Sequence, residues 1–115
     1  MVAQDILEQL PDVYICWKDH NSVFKGCNQN FADLVGKSKA DIIGRRDPFS
    51  EKHVHDDAEV RRTGVPKLHM KETIPGPDGR DITILTNKGP WRNDSGDIIG
   101  TVVCFIKHTE RVLGH

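Results

Sequence analysis

The sequence predicts an α+β domain: one five-stranded antiparallel sheet, with a run of short helices between the second and third strands covering one face. Three observations carry this. β-branched and aromatic residues concentrate in two short segments before residue 28 and in three longer ones after residue 66. Between them lie three stretches with helix-starting and helix-ending residues at matching spacing. Two strands, then helices, then three strands is the order of an α+β domain rather than of alternating βαβ units.

Residues 1–11 are read as an N-terminal flanking helix, because Val2, Ile6, Leu7 and Leu10 recur at helical spacing and Pro11 ends the pattern. Residues 13–17 are rich in strand formers, 19–22 form a polar turn, and 23–27 return as the second arm of a hairpin. Asn28 is a favoured helix N-cap. Phe31, Leu34 and Val35 then supply one apolar face, and Gly36 the left-handed stop. Ser38 followed by Asp41 resembles a capping box and starts a single turn that ends at Gly44. Asp47 or Ser50 caps a third helix. Its acids Glu51, Asp56, Asp57 and Glu59 precede Arg61 and Arg62, an order that suits the helix dipole, and Gly64 closes it. Strands follow at 67–74, at 81–87 around Ile82, Ile84 and Leu85, and at 98–106, with turn-rich segments at 75–79 and 93–96. A helical insert over one sheet face leaves room for a pocket between the two layers.

At 115 residues the chain is one domain with one core. The hydrophobic share of 37% and the charged share of 29% place it among ordinary globular domains. A net charge of −1, with lysine and arginine scattered, gives no reason to expect nucleic acid, and no nucleic-acid partner is expected. No apolar run approaches the roughly 18 residues of a membrane span, and the N-terminus lacks a signal-peptide pattern. Cys16, Cys27 and Cys104 are an odd number without a Cys-x-x-Cys spacing. They read as reduced thiols of a cytoplasmic protein, small core residues within strands.

His53, His55, Asp56 and Asp57 form the sharpest chemical cluster. His and carboxylates bind divalent metals, but residues two apart on a helix point about 200° away from each other. A small metal-dependent enzyme using His53, His55 and Asp56 therefore stands as the lesser alternative to surface histidines. No Ser-His-Asp arrangement, paired-carboxylate frame or Gly-x-Gly-x-x-Gly loop is present. Ile6, Leu7 and Leu10 would be exposed on a lone helix; they either pack on the sheet's open face or form a homodimer seam, and the seam is the preferred reading.

These residues, in this order, resemble a PAS sensor domain. Asn28 stands where the family has Asn at the strand-to-helix junction, and Gly36 and Gly44 where glycines end the two short helices. Lys88 and Pro90 match a Lys-x-Pro near the end of the fourth strand, and Gly96 and Gly100 match the last hairpin. Thr109, Glu110 and Arg111 match the tail of the Asp-Ile-Thr-Glu-Arg motif that leads to the next module. The resemblance implies a PAS domain over residues 12–108 and the start of a linker helix at 109–115. Lys107 and His108 replace the motif's Asp-Ile, so signal relay through Lys107 and Thr109 would use other contacts.

The resemblance further implies a non-enzymatic sensor in a bacterial signalling protein, one that binds a small molecule or cofactor and signals through a dimer. A C-terminal output domain in the same chain is expected, a diguanylate cyclase or a histidine kinase, placing the protein in cyclic-di-GMP or two-component signalling. A PAS module that dimerises and binds nothing is the other alternative. Expected pocket residues are Phe31, Leu34, Val54, Ile84, Val102 and Cys104. Some relatives bind haem through a helical His in this region, which makes His53 or His55 candidate haem ligands with His69 or Met70 opposite. Covalent flavin photochemistry is not expected, because the Asn-Cys-Arg motif of photoreceptor relatives is missing.

Overall fold

The structure, a computed structural model, describes residues 6–47 and 51–108, with the backbone alone at 51 and 52. The expected element order is observed. Strands β1 (Tyr14–Asp19) and β2 (Phe24–Cys27) lead into helices α1 (Gln29–Val35), α2 (Lys39–Ile42) and α3 (Glu51–Thr63), and strands β3 (Lys67–Pro75), β4 (Asp81–Arg92) and β5 (Ile98–Lys107) follow. The five strands form one sheet in the order β2-β1-β5-β4-β3, with every pairing antiparallel.

Local chemistry explains the helical insert. The Asp19 carboxylate closes the first hairpin by accepting from the N–H groups of Asn21 and Val23. Asn28 is extended and caps α1: its Oδ1 accepts from Phe31 N–H at 3.0 Å. The same oxygen accepts from Ile15 N–H at 3.2 Å, and Nδ2 donates to the Val13 carbonyl at 2.8 Å. One amide thus starts the helix and stitches it to β1. Gly36 ends α1 at φ +70°, Ser38 caps α2 through Asp41 N–H, and Gly64 ends α3 at φ +70°. Ser50 and residues 1–5 of the expected flanking helix lie outside the described residues, as does the chain from Thr109 onward; the described part of that segment is helical at Ile6 and Leu7 and passes into a turn at Glu8 and Gln9.

The core sits between the insert and one sheet face. Cys16, Phe24, Phe31, Leu34, Ile42, Ile84, Val103 and Phe105 are buried together. Phe31 packs on Phe24 at 5.7 Å between ring centroids and edge-on to Phe105 at 6.2 Å. Directly opposed residues of an antiparallel pair share a face. Cys16 opposes Val103, which opposes Lys88, while Tyr14 opposes Phe105, which opposes Thr86. These residues and Ile84 therefore point towards the helices. Val102 and Cys104, expected in the pocket, lie on the other face with Ile15 and Trp17. β5 is apolar on both faces, so alternation alone does not choose its inward set, and its partners on β1 and β4 do.

The fourth strand also runs further than the expected 81–87, through Gly89 and Pro90 to Arg92, because β5 offers partners across that whole length. Pairing overrides local breakers here.

Candidate functional site

Helix α3 meets the sheet through charge. Its sequence is mostly polar, and among its described residues Val60 is the fully buried apolar one. Asp57, with no exposed surface, faces β1 and β4. Its Oδ2 lies 2.6 Å from Lys18 Nζ and its Oδ1 3.0 Å from Lys88 Nζ. Lys18 also donates to Asp47 Oδ2 at 2.8 Å. Both lysines are as buried as core leucines, because strand parity turns them towards the helices. The contacts differ in kind: Lys18–Asp47 is an aligned hydrogen bond, whereas the Asp57 oxygens and Lys88 Nζ are close without hydrogen-bond geometry.

Burial alone would lower the Lys18 pKa, but Asp57 and Asp47 outweigh it and hold the ammonium above its ordinary range. Burial pushes the Cys16 thiol up to about 12, which leaves it an inert core group. Burial, then the neighbouring Lys88, holds His53 below its ordinary value. Its Nε2 lies 3.7 Å from the buried Glu72.

These groups form one end of a partly open cavity of about 50 Å³ between the helices and the sheet. Its polar end is Lys18, Asp47, His53, Glu72, Thr86 and Lys88; its apolar walls include Phe24, Phe31, Ile84, Val103 and Phe105. Among the described residues, Thr86 Oγ1, like Lys88 Nζ, has no aligned hydrogen-bond partner. On the outside, a groove of about 430 Å³ runs between β2 and the first two helices. Phe24, Phe31 and Val35 line both spaces and form the partition between them.

Of the residues expected to line the pocket, Phe31 and Ile84 do so. Leu34 is buried behind them in the core, and Val54 is half-buried away from the cavity. His53 borders the cavity, whereas His55 on the same helix is exposed. His69 is exposed at a β3 irregularity with φ +57°, and Met70 does not line the cavity. A haem does not fit this arrangement: the space holds one or two water-sized groups, and the candidate axial ligands do not converge on it. No cluster of three metal-ligating side chains occurs among the described residues, and Asp56 pairs instead with Lys67 at 3.1 Å.

In the sequence Lys18 and Thr86 carry no role, and Asp47 reads only as a helix cap, Asp57 only as a helical acid of the histidine cluster and Lys88 only as a family marker. A signal was available: Lys88 follows Ile84 and Thr86 at two-residue steps in β4, and Lys18 follows Cys16 in β1, so each shares the inward parity of its neighbours.

An insert of short helices over a 2-1-5-4-3 antiparallel sheet, with a cavity between the layers, defines the class of small sensory domains. The family model of the PAS fold matches residues 7–113, and the chain belongs to that family. Among solved structures, VqmA bound to DPO superposes with a TM-score of 0.80 at 31% identity, covering 90% of this chain and 56% of that one. The Vibrio cholerae VqmA dimer in the absence of target DNA, described in connection with DNA binding by LuxR-type receptors, gives 0.82 at 31%, covering 95% and 52%. The PAS domain of Bordetella pertussis BvgS gives 0.68 at 18%, covering 94% and 84%, a likeness of fold. The chain spans about half the length of the VqmA structures. No match was found among curated proteins.

Proposed function

We propose that this PAS domain is the sensory part of a DNA-binding regulator, and that it binds a small, flat, largely apolar compound carrying a hydrogen-bond acceptor. The observation that carries the reading is the pair Lys88 Nζ and Thr86 Oγ1: neighbours on one face of β4, buried in an aromatic-walled cavity, and lacking aligned partners among the described residues. Buried polar groups in folded proteins are nearly always satisfied. An acceptor oxygen or nitrogen placed between these two would satisfy both, with its ring against Phe31 and Phe105. Outward movement of the Phe24, Phe31 and Val35 partition supplies the extra volume.

Lys88 also holds Asp57 of α3. A ligand that takes the Lys88 ammonium competes with that contact and shifts the population between two seatings of the helix. The VqmA structures, at 31% identity, support a small-molecule ligand, a homodimer and a LuxR-type DNA-binding output in the same chain. That output replaces the diguanylate cyclase or histidine kinase expected above, and DNA contact is assigned to it rather than to this near-neutral domain. A cytoplasmic location follows for a DNA-binding regulator. No helix among the described residues is long and apolar enough to cross a membrane.

The test is native mass spectrometry of the purified protein, with calorimetric titration of DPO as added probe. Bound mass or saturable DPO binding is expected, and Lys88→Met should weaken it by about tenfold or more, as loss of a hydrogen bond to a charged group does. Unchanged binding in Lys88→Met would overturn the site. No bound mass and no DPO binding, with a dimer in sedimentation, would favour the module that dimerises and binds nothing.

A further inference from the structure

We infer that the outer groove is the second half of the ligand site and holds the carboxylate of an amphipathic organic acid whose apolar body passes inward between Phe24, Phe31 and Val35. The inference rests on the inner cavity being the ligand site, and it adds the ligand's charge and route.

Size comes first. The inner cavity, about 50 Å³, takes only a few atoms, while the groove outside it is about 430 Å³. The two are separated by three apolar side chains that belong to both, so one molecule reaching Lys88 and Thr86 has its remaining bulk in the groove. The floor of the groove is Phe24, Phe31, Val35 and Ile42, which suits an aromatic or short aliphatic body.

Charge comes second. The groove's charged residues are Lys37, Arg45 and Arg46 against a single acid, Asp41. Elsewhere on the surface Lys25 pairs with Asp19, Lys39 with Glu8, and Lys67 with Glu59. None of the three groove cations is in an ion pair among the described residues, so the groove presents an uncompensated positive rim beside an apolar floor.

Pre-organisation comes third. The segment bearing the arginines is bound to the edge of β2. Gly44 N–H donates to the Phe24 carbonyl at 2.8 Å, Phe24 N–H to the Arg45 carbonyl at 2.9 Å, and Asp47 N–H to the Ser22 carbonyl at 2.8 Å. The backbone under Arg45 and Arg46 is thereby fixed, and guanidinium groups are the side chains best shaped to grip a carboxylate through two parallel hydrogen bonds.

The experiment uses 4-acetylbenzoate and 3-(4-acetylphenyl)propanoate, each against its neutral primary amide, by calorimetry on the whole protein. At least one acid should bind about tenfold or more tightly than its amide. In Arg45→Ala/Arg46→Ala, whose side chains are exposed, the preference should vanish, the acid losing about tenfold or more in affinity relative to its amide. Equal affinity of acid and amide, a preference that survives the double substitution, or no binding of any probe at about 1 mM overturns the inference. Lys88→Met keeps the two readings apart. If it weakens acid and amide alike, both halves of the site stand. If it changes neither while the arginine variant abolishes acid binding, the inner-cavity reading fails and the groove stands as an anion site.

Discussion

Asp57 is held by two lysines, and one of them, Lys18, holds a second carboxylate as well. A buried cluster of this kind adds little net stability, because desolvating the charges cancels most of their attraction. Its consequence is specificity of position: α3 has one place where Asp57 meets both ammonium groups. His53 adds a pH dependence. Its folded pKa lies below its ordinary value because of burial and Lys88, with Glu72, Asp47 and Lys18 also near it. The unfolded chain, titrating near about 6.5, binds the proton more readily. The contribution is therefore present above about 6.5 and lost as the pH falls through the lower folded value. Thermal unfolding from about pH 7.5 to 5 should show a falling midpoint, and His53→Gln should flatten that slope; an identical slope in the variant would remove His53 as its source. None of these roles was apparent from residue type alone. A lysine in a strand reads as exposed, and its inward placement becomes visible only when strand parity is followed through Ile84 and Thr86.

Helix ends were the most legible elements, because their signals are local. Asn28, Gly36, Ser38 and Gly64 each act through hydrogen bonds or backbone conformation within a few residues. Strand facing was less legible. In β5, Val102, Val103, Cys104, Phe105 and Ile106 are all apolar, so the choice of inward face was settled by partners on β1 and β4 rather than by the strand itself. The same pairing makes a testable demand at Gly100. A Cβ there would collide with the Lys18 carbonyl and sit 2.8 Å from the Trp91 ring. Gly100→Ala thus pushes β5 away from β1 beside the buried lysine, and overpacking of this sort costs about 1–3 kcal/mol. Gly89, on neighbouring β4, has open space at the same position, so Gly89→Ala should stay within about 0.5 kcal/mol. Urea unfolding of the two variants should separate them, and equal stabilities would contradict the close approach.

For the whole molecule, the proposed dimer has a surface to use. Glu8 anchors the N-terminal segment by accepting from Gln29 N–H at 3.0 Å and pairing with Lys39 at 2.5 Å, while Asn30 donates to the Leu10 carbonyl at 3.0 Å. With the segment fixed in this way, Ile6 remains 51% exposed and Leu10 39%, and Leu7 is half-buried. Ile106 is 45% exposed at the rim of a surface pit of about 420 Å³ that Pro11, Val13 and Tyr14 also line. This pit lies at the C-terminal end of β5, and its wall continues the chain from Leu10. There Lys107 places its ammonium 5.9 Å from the Tyr14 ring, in contact with β1 rather than in the acidic role of the family motif. A second copy covering this end would bring the two linkers together, which is what a ligand-driven shift needs in order to reach a dimeric output. Ile6→Glu/Leu10→Glu should convert the dimer to a monomer in sedimentation and remove the concentration dependence of its unfolding midpoint. Both substituted side chains are exposed and outside the core, so far-UV circular dichroism should be unchanged. A double variant that sediments as a dimer at micromolar concentration would move the seam away from Ile6 and Leu10, and with it the route by which the cavity speaks to the linker.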